Sequence, residues 1–86
     1  MKYYLVTCAT PFVGEENDYY VAVESKEDLD AFVLDVIYEN ANEWYDLQTL
    51  DENDMTEDEY YAGCHARRVE EITEEEYYDA CPWERP

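Results

Sequence analysis

Residues 25–45, SKEDLDAFVLDVIYENANEWY, restrict the possible folds more than any other stretch of this chain. Leu29, Phe32, Val33, Val36, Ile37, Ala41 and Trp44 recur at intervals of three and four, which puts all seven on one face of an α-helix. Ser25 stands at the N-cap position, and Asp28 follows in the acidic position of a capping box. No Gly or Pro interrupts the run. The opposite face carries Glu27, Asp30, Asp35, Glu39 and Glu43, so the helix that centres the core also displays negative charge.

The flanking segments supply a sheet for that helix to cover. Lys2 to Cys8 and Asp18 to Glu24 are rich in β-branched and aromatic residues and read as strands. Pro11, Gly14 and Asn17 between them form turns, so the pair reads as an antiparallel hairpin. Asp46 to Met55 is acidic, lacks periodicity and reads as a loop, pinned by Leu47 and Leu50. An internal repeat follows: MTEDEYYAGC from Met55 and ITEEEYYDAC from Ile72. Thr56 with Glu59 and Thr73 with Glu76 spell a capping box in each copy, which predicts two short helices. Between the copies, His65 to Glu71 reads as a third strand at an edge of the hairpin, with Ala66 facing away from Val69. Pro82 stops the last helix. The expected fold is α+β: one domain over residues 1–86, a small antiparallel sheet (hairpin plus third strand) packed on one main helix, with two short additional helices.

Charge bounds the function. The 86 residues hold 24 Asp and Glu against 5 Lys and Arg, a net charge of −19. Nucleic acid as a direct ligand is opposed by that balance. A disordered acidic tail would lack the ten tyrosines, which suit a folded domain. No apolar run approaches the ~20 residues a membrane helix needs, and no secretory leader is read. The three cysteines read as reduced, buried thiols of a cytoplasmic protein. Catalysis finds little support: there is one histidine, no Ser/His/Asp set and no Gly-rich phosphate loop, and carboxylate pairs are too abundant for any one to be informative, so no enzyme is expected. No cofactor is implied.

Carboxylates four residues apart on a helix stand about 6 Å apart at Cβ, comparable to successive phosphates of one DNA strand. An array of that pitch fits a basic channel built for nucleic acid. The candidate contact residues are Asp30, Asp35, Glu39 and Glu43 on the main helix, Asp51, Glu52 and Asp54 after it, and Glu57, Asp58, Glu74 and Glu75 in the repeats. Tyr61 and Tyr78, the second members of two tyrosine pairs, are candidate interface anchors. Charge runs are more often solvated faces, so orientation decides. Helix and repeats facing one way favour mimicry, and divergence favours general solvation. Cys8, Cys64, His65 and Cys81 have the donors for a zinc site but not its usual spacing.

The opening YYLVTCATPFVG and the acidic helix ending in NANEWY resemble a loose group of short acidic proteins encoded by bacteria, phages and mobile elements. In size, charge and tyrosine content the chain also resembles anti-CRISPR and anti-restriction proteins, several of which block the DNA-binding cleft of a defence nuclease as DNA mimics. The resemblance implies an inhibitor in the cytoplasm of a bacterial host, with a basic nucleic-acid-binding partner such as a Cas nuclease. It assigns no residue. Two other readings stay open: an acidic adaptor that binds through tyrosine-rich apolar surface, and a zinc-stabilised module.

Overall fold

The computed structural model describes residues 1–85; Pro86, the last residue of the PWERP tail, lies outside them. Its elements are β1 (Lys2–Ala9), β2 (Glu16–Val23), α1 (Lys26–Trp44), α2 (Leu47–Glu52), α3 (Glu57–Gly63), β3 (His65–Ile72) and α4 (Glu74–Ala80). A 3-10 turn at Pro82–Glu84 follows α4. The architecture is α+β, as the sequence pattern implies.

β1 is the middle strand, paired antiparallel to β2 on one side and to β3 on the other. The six residues between β1 and β2 close on Thr10, whose N–H donates to the Glu15 carbonyl at 3.0 Å and whose hydroxyl donates to Glu15 Oε1 at 2.9 Å. Gly14 takes φ +86° there, a left-handed conformation that favours glycine. Val6 lies opposite Tyr19 on β2 and Val69 on β3, and Val6 and Cys8 are fully buried beneath Val36 of α1. Phe32, Val33 and Ile37 complete this layer from the helix.

One register detail departs from expectation. Thr7 pairs with Arg68 but Cys8 pairs with Ala66, so Arg67 is an extra residue in β3. That bulge reverses the alternation. Ala66 therefore turns to the same face as Val69 and packs in the core under α1. Arg67 reaches over the end of the sheet to Glu16 on β2, at 2.9 Å.

α1 is capped as its sequence indicates, with the Asp28 N–H donating to Ser25 Oγ at 3.1 Å. Six of the seven apolar-face residues are buried or half-buried; Trp44, at the last turn, is exposed. The segment expected to be a loop is instead the helix α2. Asp46 caps it by accepting from the Gln48 N–H at 3.0 Å, and Leu50, only 1 % exposed, drops into a second core cluster with Ala41, Tyr60 and Cys64. Leu47 stays exposed and pins nothing. A helix of one and a half turns with a single inward residue has no period to detect.

Both repeats form the capped helices their sequence implies, with reciprocal Thr and Glu bonds in each. Their surroundings differ. Tyr60 of α3 packs against Phe12 and Tyr45 near the C-terminal end of α1, and its hydroxyl donates to the Ala41 carbonyl at 2.7 Å. Tyr77 of α4 packs on Tyr3, 4.9 Å between ring centroids. Tyr3 alternates with Tyr4 and Val6 along β1, so α4 lies on the sheet face opposite α1. The eight residues of β3, about 27 Å of extended chain, separate the two copies.

Candidate functional site

Every lysine and arginine of the chain is already engaged. Lys2 pairs with Glu71 at 3.7 Å, Lys26 with Asp30 at 3.1 Å, Arg67 with Glu16 at 2.9 Å, Arg68 with Glu70 at 3.7 Å and Arg85 with Asp79 at 3.9 Å. Five of the 24 carboxylates are thus matched, which leaves 19 with no cation in ion-pair reach among the described residues. All five pairs are exposed and stabilise little on their own. Their effect is to decide where uncompensated negative charge remains.

The most regular array of such charge is on α1. Asp35, Glu39 and Glu43 follow one another at intervals of four, all exposed, with Asp28 two turns earlier on the same side. The helix rise of 1.5 Å per residue sets successive positions of the triplet about 6 Å apart along its axis. Asp30 does not belong with them, since it lies on another flank and is held by Lys26. The row overlooks β2. Asn17 Nδ2 donates to Asn40 Oδ1 at 2.8 Å and to Glu43 Oε2 at 3.1 Å, tying the row to the sheet. Beneath it the Tyr19 hydroxyl is pushed up to about 12 by burial and by the charges of Glu39 and Glu43. Neither Tyr19 Oη nor Asn40 Nδ2, both buried, finds a hydrogen-bond partner among the described residues.

The opposite flank of α1 carries a different assembly. Tyr38, Tyr45 and Tyr61 cluster where α1 meets α3, with centroids 6.4 Å apart for Tyr38–Tyr61 and 6.2 Å for the stacked Tyr45–Tyr61. The Tyr61 hydroxyl donates to Asn42 Oδ1 at 2.7 Å. Burial and then the charge of Glu57, the Tyr61 hydroxyl and Asp51 raise the pKa of Tyr45, so both carboxylates act on this cluster. Glu52, Asp54 and Asp58 are exposed nearby on α2, the turn after it and α3. Of the tyrosine anchors expected from sequence, Tyr61 is half-buried here. Tyr38 and Leu34, each 60 % exposed and one helical turn apart, were not singled out by their spacing, which places them off the core stripe.

Glu74, Glu75 and Tyr78 stand elsewhere. They line a shallow cleft on α4 together with Arg85, whose guanidinium sits 5.6 Å from the Tyr78 ring centroid. The candidate residues therefore fall into three groups: the α1 row on the β2 side, the α2–α3 acids with Tyr61, and the α4 end. They do not share one face. Charge is distributed around a body whose Cα extents are 47 × 24 × 16 Å.

The zinc donors are not brought together. Cys8 and Cys64 lie near each other at the hairpin end, His65 Nδ1 is hydrogen-bonded with the Gly63 carbonyl, and Cys81 is beside Tyr77 at the far end. Among the described residues no three His, Cys, Asp or Glu side chains converge as metal ligands. No described helix is long and apolar enough to cross a membrane. No protein-family model matches the chain, and neither a curated protein nor a solved structure does.

Proposed function

We propose that the protein is an acidic inhibitor that occupies the nucleic-acid-binding surface of a basic partner, acting by occupancy and not by catalysis. The observation that carries this reading is the α1 row: Asp35, Glu39 and Glu43 at phosphate-like pitch on one helix, with every lysine and arginine of the chain paired elsewhere. The overall charge density supports it. A duplex as long as the 47 Å body carries about 28 phosphates at ~1.7 Å per charge, against a net −19 here. Taken with the class resemblance, the narrower proposal is an inhibitor of a CRISPR nuclease in the cytoplasm of a bacterial host. Binding would be driven by release of the counterions held at the partner's basic cleft.

The test is a titration of the protein against purified RNA-guided nucleases at several salt concentrations, with duplex DNA as competitor. Affinity should fall steeply with salt, DNA should displace the protein, and the triple change Asp35→Lys, Glu39→Lys, Glu43→Lys should weaken binding at least about a hundredfold. Salt-independent affinity would sink the reading.

One observation favours a second reading, that of an adaptor whose acidity serves solubility. The two repeats carry their acids to opposite ends and opposite faces of the sheet, as general solvation would require. Under that reading the same lysine changes leave binding intact, while loss of an exposed aromatic abolishes it.

A further inference from the structure

The cleft bordered by both lysines offers no unpaired side-chain cation, since Lys2 and Lys26 are each paired with an acid. The α4 cleft is a solvent-open depression lined by acids and one arginine. α1 turns Glu39 and Glu43 toward Tyr19 and Asn17 of β2, so its other flank overlooks β3 and α3. On that flank Leu34 and Tyr38 are exposed one turn apart, and the Tyr38 ring meets Tyr61 of α3. Val69, on the α1-facing side of the β3 edge strand, is exposed on the same side.

We infer that this ridge of Leu34, Tyr38 and Tyr61 is a docking surface for a cationic amphipathic segment of another protein, one that sets Lys or Arg around large apolar side chains. The inference rests on the proposed attraction to a basic partner and names the surface that would orient it. Charge decides the occupant. Asp35 flanks Tyr38 on the helix, and Glu57 and Asp58 lie one turn from Tyr61 on α3. A second copy of the chain would bring another −19 to this rim and is repelled. A neutral apolar segment would fill the ridge but leave the carboxylates around it uncompensated. A cationic segment with apolar anchors satisfies both, with aromatic and aliphatic contact at the centre and charge pairs at the rim.

Two synthetic peptides of equal positive charge test this: an amphipathic leucine–lysine helix and a serine–lysine control. Binding is followed by chemical-shift titration of the isotope-labelled protein at two salt concentrations. The leucine–lysine peptide should bind at least about tenfold tighter, with shifts centred on Leu34, Tyr38 and Tyr61. The double change Leu34→Ser, Tyr38→Ser should erase that preference while leaving the control peptide's affinity and the thermal midpoint unchanged. Equal affinity for the two peptides, or a preference that survives the double change, overturns the ridge while leaving attraction to basic partners standing. A leucine–lysine affinity that salt does not weaken keeps the ridge and removes the electrostatic reading. No binding of either peptide at low salt removes both.

Discussion

Tyr60 and Tyr77 occupy the same position in the two repeats, and the structure assigns them unequal roles. Tyr60 is 0 % exposed and its hydroxyl donates to the Ala41 carbonyl at 2.7 Å, within the last turns of α1. Tyr77 is 7 % exposed and packs on Tyr3 without a main-chain bond of this kind among the described residues. Tyr60→Phe removes a buried hydrogen bond and leaves a carbonyl under-satisfied, a loss of about 1–2 kcal/mol. Tyr77→Phe should cost less than about 0.5 kcal/mol, in the range of changes that leave packing intact. A domain of this size has roughly 4–13 kcal/mol of stability, so the first loss is substantial. With ~4–8 °C per kcal/mol for domains of this length, Tyr60→Phe should melt about 5–10 °C below the parent, and Tyr77→Phe within about 3 °C of it. Thermal unfolding followed by circular dichroism at fixed salt reads both. Equal shifts for the two variants, or an unchanged midpoint for Tyr60→Phe, would refute the assignment of α3 as the better-anchored copy.

Tyr19→Phe should be neutral or stabilising by up to about 1 kcal/mol in urea unfolding, because it deletes a buried hydroxyl that has no partner; a clear loss would mean that the hydroxyl is bonded. Gly63→Ala places a Cβ 2.5 Å from Pro11 Cγ and should cost about 1–3 kcal/mol, with Pro11→Ala recovering most of the loss in a double-mutant cycle. Alkaline titration supplies a fourth check. Burial, with Cys64 nearby, raises the Cys8 thiol to about 11, burial with Glu39 and Glu43 raises Tyr19 to about 12, and burial raises Tyr60 as well. Each group holds its proton more tightly folded than unfolded, so the stability these groups contribute should be level below pH 9 and fall as pH rises through 11–12. A midpoint that stays flat across that interval would contradict the burial of these groups.

The parts of this fold legible in the residues are those with a repeating cause. α1 announces itself because about five turns of helix repeat one apolar face, and the twin Thr-Glu boxes mark the starts of α3 and α4 by a local reciprocal bond. α2 has neither length nor period, although Asp46 before it and Asn53 after it are capping residues that hint at it. The bulge at Arg67 is likewise silent: nothing in HARRVEE distinguishes an extra residue from a regular one until Ala66 must fit beside Cys8. At the candidate site the identity of the acids was readable and their grouping was not. Asp30 falls outside the four-residue spacing of Asp35, Glu39 and Glu43 and has Lys26 one turn before it, but only the tertiary structure shows that the row faces β2. That α3 and α4 part company follows from β3 running the length of the sheet between them, a consequence of tertiary pairing.

The central position of β1 has a kinetic side. Its first neighbour forms across a short hairpin, Ala9 beside Glu16, but its second is delayed until Ala9 can meet His65. Non-local pairing of that kind is slow, because a long loop must close before any contact rewards it. While β3 is absent, the free edge of β1 offers Tyr3, Leu5 and Val6 to any other growing or half-folded chain, the usual route to aggregation. A net charge of −19 sets a mutual repulsion between such chains throughout that interval. The acidity that weakens the finished domain thus protects the unfinished one, giving the last strand time to arrive.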